Sequence, residues 1–372
     1  MTPVPLGLYV HFPWCVRKCP YCDFNSHPLS GELRDDDYLA VLLDDLDGEC
    51  QRFDGRPVRT VYFGGGTPSL FPPAAFRALT RRVPEAVEVT LEANPGTVEH
   101  GDFRGYRRAG VTRISLGAQS FDAAQLKRLG RIHSAAETRR AAAAVESAGF
   151  ASFNIDLMYG LPGQTVAQAI ADLAHAVRLE PPHISWYQLT IEPKTAFAQR
   201  PPAGLPDDDE ASEIEEAGVD FLARHGYVRY EVSAFARDGH QCAHNLNYWT
   251  FGDYIGIGAG GHGKLTTPDG VIVRTAKAHQ PRLYMRGAPT TANPVHPHEL
   301  PGEFMMNALR LADGVDRGSF GTRTGLPDAT IAGTIAELVD WGLMRADRLA
   351  LTAFGYRHLD AVVARFLKRH RT

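Results

Sequence analysis

The chain has 372 residues, 44% of them hydrophobic and 22% charged, with a formal net charge of −4, the profile of an ordinary globular protein. So even a charge balance gives no electrostatic case for nucleic-acid binding. No run approaches the ~20 apolar residues of a membrane helix, and MTPVPLGLYVHFPW lacks the basic region and cleavage site of a signal peptide. The expectation is a cytoplasmic protein with at most peripheral membrane contact, built as one large unit and one small one.

Short β-prone runs begin near Leu6, Val58, Val87, Thr112, Ser152 and His183. Helix-like segments lie between them, at 35–52, 73–82, 97–109, 121–148 (broken near Gly130) and 165–179. Tyr38, Leu39, Leu42, Leu43 and Leu46, for example, recur at helical spacing. Alternation of this kind implies a parallel sheet. Six β/α units in about 190 residues, with no sign of two more, predict an α/β fold with an open, partial (β/α)6 barrel over 1–195. A Pro-rich and then acidic stretch, QRPPAGLPDDDE, opens an extension over 196–297, with a helix at 207–225 and short strands from Tyr227 to about Arg274. Residues 298–372 read as a small helical, winged-helix-like unit, with helices at 303–312 and 328–341, a β-prone end and a basic terminal helix.

Of five cysteines, Cys15, Cys19 and Cys22 fall within eight residues, spaced C-x3-C-x2-C; Cys50 and Cys242 stand alone. An odd count without an export signal argues against a disulfide framework. Soft thiolates select zinc or an iron–sulfur cluster. Structural zinc wants a fourth ligand, for which His11 and His27 are the nearby candidates, although neither has finger-like spacing. Three cysteines on a four-iron cluster leave one iron open to a small molecule with amino and carboxylate groups. The loop directly follows the first strand, at the end where α/β barrels place their sites.

Consecutive glycines at Gly64, Gly65 and Gly66 end the second strand and allow close backbone approach with free N–H groups. Glu92 and Gln119 end the third and fourth strands, where a carboxylate and an amide suit a diol; a partner for a nearby arginine is the alternative for Glu92. Arg131 offers a planar fork for a carboxylate or for a surface ion pair. Asp156 sits in an otherwise apolar strand, where an unpaired charge is costly. His244 beside Tyr248 and Trp249 supplies an imidazole next to flat apolar surface, the combination that porphyrin iron needs; a histidine in a polar turn is the plainer reading. His262, on a Gly-rich turn, is open between ligand and turn. Cys242 reads as a small buried residue and Cys50 as structural.

The cysteine loop YVHFPWCVRKCPYCDFNSH resembles the radical-SAM superfamily, and more narrowly its HemN-related branch and the heme chaperones within it. The resemblance spans nearly the whole chain through YFGGGTPSL, LEANPGT, RISLGAQSF, NIDLMYGLPGQT and HNLNYWTFGDYIGIGAGGHG. It implies a [4Fe-4S] cluster on Cys15, Cys19 and Cys22. It implies S-adenosylmethionine (SAM) held by Tyr9, Gly65, Gly66, Thr67, Glu92, Gln119, Arg131 and Asp156. The amino group would lie at Gly65–Thr67, the ribose at Glu92 and Gln119, and the carboxylate at Arg131. It further implies heme at His244, Tyr248 and Trp249, with transfer to a heme-requiring respiratory membrane protein, and admits a homodimer. The related decarboxylating enzyme, coproporphyrinogen III dehydrogenase, has a fourth cysteine two residues after the third, where this chain has Phe24. It also has a longer segment before its cysteines than the 14 residues here. Both differences favour a chaperone over that enzyme.

Overall fold

The computed structural model describes residues 4–51, 55–97 and 102–367. Six strands alternate with helices along the first half: β1 (Leu6–Phe12), β2 (Val58–Gly65), β3 (Glu88–Ala93), β4 (Arg113–Gln119), β5 (Ser152–Tyr159) and β6 (His183–Gln188). The helices between them are α1 (Asp35–Cys50), α2 (Pro73–Thr80), α3 (Phe103–Arg108), α4 (Ala123–Arg128), α5 (Ala135–Ser147) and α6 (Val166–Val177). The break expected near Gly130 separates α4 from α5, and that glycine has φ +70°. Its absent side chain leaves room for Pro20 of the cysteine loop, 2.7 Å from where a Cβ would stand. Part of the helix expected over 97–109, and the end of the basic terminal helix, lie outside the described residues.

The extension contributes α7 (Asp208–Arg224), β7 (Val228–Glu231), β8 (Ala234–Ala236), α8 (Ala243–Trp249), β9 (Asp253–Ile257), β10 (His262–Thr266), β11 (Ile272–Ala276) and β12 (Thr291–Pro294). Its strands join both edges of the same twelve-stranded sheet, whose order is β12-β11-β10-β9-β1-β2-β3-β4-β5-β6-β8-β7. The sheet is mixed and open. β9 lies parallel to β1, so the parallel part has seven strands rather than the six expected. β9 escapes a search for β/α units because the strand before its helix, β8, runs antiparallel near the far edge of the sheet.

Parallel register decides what each face carries. Tyr9 pairs with Tyr62 and His11 with Gly64, Thr60 with Glu88, Glu92 with Ser115, Ser115 with Asn154 and Asp156 with Ser185. Since side chains alternate along a strand, all of these share one polar face. Leu8, Val10, Val61, Phe63, Leu91, Ile114, Leu116, Ile155 and Ile184 fill the other face and form the main core beneath the helices. Asp156, whose charge in an otherwise apolar strand points to a ligand or a hydrogen-bond network, is one member of this polar face.

Helix α8 covers the lower part of the polar face on β1, β2 and β3. The Glu88 carboxylate caps it, accepting from Ala243 N (2.9 Å) and His244 N (2.9 Å). His244 is fully buried, hydrogen-bonded through Nδ1 to Thr60 Oγ1 (2.9 Å) and through Nε2 to the Tyr248 hydroxyl (2.8 Å). Its imidazole also lies near Gly7, where a Cβ would meet it at 3.2 Å. Asn247 Nδ2 donates to Asp253 O (2.8 Å), tying the helix to β9.

Beyond β12, the C-terminal unit contains α9 (Leu300–Ala308), α10 (Gly318–Thr324) and α11 (Ala329–Asp340), with isolated bridges at Val315–Leu349 and Met344–Leu351. Its core is a second cluster that includes Phe304, Phe320, Ile335 and Leu338 and extends to Phe251, Ile272 and Val295 of the extension. Among the described residues, no helix is long and apolar enough to cross a membrane.

Candidate functional site

With α8 seated on the lower part of the polar face, two adjoining chambers lie above it, at the C-terminal ends of the strands. The first encloses about 640 Å3. It gathers Cys15, Cys19, Cys22, Gly65, Gly66, Thr67, Glu92, Gln119, Arg131, Asp156 and Trp249. The second, about 560 Å3, is lined by Tyr9, His11, Phe24, Asn25, Tyr248, Trp249, Tyr254, His262, His279 and Asn307, and shares Phe24, Gly65, Glu92 and Trp249 with the first. His244 lines neither.

The cysteine loop is shaped by its own backbone and by Lys18. Cys22 N donates to Cys19 O (3.1 Å), and Lys18 Nζ donates to Phe24 O (3.0 Å) and Ser26 O (3.1 Å). All three thiols are free. Burial, with Cys22 nearby, pushes the Cys15 thiol up to about 11; burial likewise raises Cys22. Among the described residues, no three of His, Cys, Asp and Glu stand at the spacing of a single metal ion. The thiols are arrayed along a chamber wall.

The glycines at the end of β2 are required by shape. A Cβ on Gly65 (φ +117°) would lie 2.6 Å from the His11 ring, and one on Gly66 2.4 Å from Trp14 O. The free N–H groups expected here are in fact engaged. Gly65 N donates to Glu92 Oε2 (3.1 Å), Gly66 N to Phe12 O (2.7 Å) and Thr67 N to Trp14 O (2.7 Å). These bonds close the turn between β1, the cysteine loop and β3.

Glu92 lies on the chamber floor. Burial, reinforced by Asp156, raises its carboxyl to about 7, against the pull of hydrogen bonds from Tyr62 and Gly65. Burial also raises Asp156, which accepts from Ser115 Oγ (2.9 Å) and Asn154 Nδ2 (2.7 Å). Gln119 has φ +68°, uncommon for a residue with a Cβ, where the β4–β5 register shifts; its Oε1 accepts from the Tyr187 hydroxyl (2.6 Å). Arg131 spans from the cluster loop to the strand ends. It donates to Cys19 Sγ (3.7 Å) and Gly117 O (2.6 Å), and also to Asn94 Oδ1.

Two placements differ from expectation. Tyr9 faces the second chamber, its hydroxyl 2.9 Å from His11 Nδ1. The His244 ring nitrogens are both used inside the fold, so the helix carrying HNxxYW gives the chambers Asn245, Tyr248 and Trp249 and keeps its histidine in the core. Cys242 is buried beside Glu88 (3.5 Å), in keeping with a packing role, whereas Cys50 is exposed. The sequence reading missed Asn94, whose signal was its place two residues after Glu92. It also missed Arg310, which stacks over Trp249 at 4.4 Å, and His279; both reach the chambers from distant segments.

A parallel sheet with a C-x3-C-x2-C loop opening on its C-terminal end defines a radical-SAM protein, and residues 9–177 match the Radical SAM superfamily, with 295–357 matching the HemN C-terminal domain. The chain is 50% identical to the heme chaperone HemW of Escherichia coli, covering 98% of both chains, and 46% identical to that of Haemophilus influenzae, again over 98% of both. It belongs to that family. The HemW of Mycobacterium tuberculosis is 35% identical over 99% of this chain and 96% of its own. Among solved structures, coproporphyrinogen III oxidase (HemN) from E. coli superposes with a TM-score of 0.82 over 98% of this chain and 91% of its own. At 22% identity, that likeness is one of fold.

Proposed function

We propose that this chain is a cytoplasmic heme chaperone on a radical-SAM scaffold, which holds heme and passes it to a heme-requiring respiratory membrane protein. The observation that carries this reading is full-length identity of 50% to a protein named heme chaperone. Cys15, Cys19 and Cys22 would hold a [4Fe-4S] cluster, a group wider than a single ion and suited to soft thiolates arrayed along a wall. The cluster, when bound, supplies an electron and an open iron.

SAM would lie in the first chamber. There, Gly65, Gly66 and Thr67 would bound its amino end. Arg131 would turn its fork to the carboxylate, while Glu92 and Gln119 would meet the ribose hydroxyls, with Asp156 completing the polar wall. Tyr9 would back this site from the neighbouring chamber rather than touch SAM. Tyr248 and Trp249 would offer flat surface to heme. Phe24, in place of a fourth cysteine, supports carriage over decarboxylation. A homodimer and a place in porphyrin metabolism accompany the reading.

The test is anaerobic. Cluster-reconstituted protein with SAM and an electron donor should bind heme and leave coproporphyrinogen III unconverted. Protoporphyrinogen IX formed over repeated turnovers would replace this reading with the enzyme.

A further inference from the structure

The second chamber differs from the first in its chemistry. No histidine and three thiols line the first; three histidines and no thiol line the second. The His11 ring is spent, on the Tyr9 hydroxyl and on Asn25 O (2.9 Å each). His262 and His279 are different. They sit on β10 and on the loop after β11, their ring centroids 5.8 Å apart with planes at 60°. Among the described residues neither ring nitrogen of either one has a hydrogen-bond partner. Unpartnered imidazoles are the common neutral ligand for heme iron.

The remaining walls suit a flat macrocycle. Tyr9, Phe24, Tyr248, Trp249 and Tyr254 surround the space, and its 560 Å3 falls among chambers that enclose ligands of several hundred daltons, ~300–1,000 Å3.

We infer that the second chamber is the heme seat of this chain, and that His262 and His279, not His244, present the imidazole that meets the iron. The inference rests on the reading that the chain carries heme. It assigns HNxxYW the aromatic wall and the lock beneath it.

The experiment titrates heme into cluster-loaded protein without oxygen and reads the axial ligand by magnetic circular dichroism and resonance Raman spectroscopy, which resolve heme beside the cluster. His262→Ala and His279→Ala should each change the ligand signature. The double variant should lose affinity roughly tenfold or more and regain an imidazole-type spectrum when free imidazole is added. Asn307→Trp, which narrows the chamber and leaves both histidines in place, should also weaken binding. His244→Ala, measured at a temperature where it remains folded, should keep the wild-type ligand signature. A double variant with wild-type signature and affinity overturns the assignment while leaving heme carriage standing. So does a change of ligand confined to His244→Ala. Wild-type protein that binds no heme overturns both the assignment and the carriage reading.

Discussion

His244 shows how one residue can be read in two ways. Its imidazole closes a bridge between Thr60 and Tyr248 in a fully buried site. Removing it strands both hydroxyls and opens a void. His244→Ala should therefore destabilise the protein by about 2–4 kcal/mol, seen as a lower urea midpoint, whereas His262→Ala, at an exposed position, should leave the midpoint unchanged. Glu92 carries a different signature. Its carboxyl keeps a proton to about pH 7 in the folded chain, against a usual 4.5, so between those values the folded state binds more protons than the unfolded one. Stability contributed at this position is thus highest below pH 4.5 and is lost as pH rises through 7, by up to about 3 kcal/mol. Urea midpoints of cluster-free protein should show Glu92→Gln gaining on wild type as pH rises from 5 to 8. The Cys15 thiol, held up to about 11 by burial and by Cys22, must give up its proton to bind iron. Cluster loading should release protons and run faster at pH 8.5 than at pH 7, as a pH-stat and visible absorption will record.

At the scale of elements, the turn between β2 and the cysteine loop is tightly constrained. Gly66 faces the Trp14 carbonyl, a backbone atom that has no rotamer to escape into. Gly66→Ala should displace the cysteine loop, so that reconstituted protein retains less iron although all three thiols remain. The six β/α units were legible in the sequence because apolar positions on the helix-covered face, such as Val61, Phe63, Leu91 and Ile155, mark each strand. The cysteines, glycines, Glu92, Gln119 and Arg131 were legible as one group because strand ends bring them together. What could not be read was which chamber each residue faces. Tyr9 and His11 point to the second because β9 pairs with β1 and carries β10 on its other edge, a contact between segments some 250 residues apart. The burial of His244 was hidden for a related reason: nothing local distinguishes a buried histidine from one that faces a cavity. Its partners Thr60 and Gly7 lie in strands far earlier in the chain.

Across the whole molecule, a buried charge cluster links the extension's strands to one another and to the barrel. Lys264, almost wholly buried, donates to Asp253 Oδ1 (2.9 Å) and to the carbonyls of Phe251 and Gly252. Arg56 reaches Asp253 Oδ2 (2.8 Å) from the far side. Removing one partner leaves an under-compensated ion, which is costlier than removing both. Lys264→Met should cost about 3 kcal/mol in a denaturant titration, and adding Asp253→Asn should recover part of that loss. Asp253 is held below its usual pKa, burial being outweighed by Lys264. Its contribution is therefore present at neutral pH and fades in acid, as the carboxylate protonates below its ordinary range.

The placement of α8 bears on how the chain is made. By the time β6 leaves the ribosome, six strands exist with Glu88, Arg113 and Asp156 on one face and nothing yet to cover it. The residues that cap Glu88 and bridge Thr60, Ala243 and His244, follow more than fifty positions later, and β9, the second neighbour of β1, comes later still. Pairings of such long sequence separation form slowly, and an uncovered sheet edge invites association with other chains. Synthesis therefore passes through a stage in which most of the barrel is present but its polar face and its first edge are open. A nascent chain halted near residue 200 should be protease-sensitive and aggregation-prone, and one extended past β10 should become resistant as a unit. The same helix that underlies the chambers thus sets the moment at which the polar face of this protein is first covered.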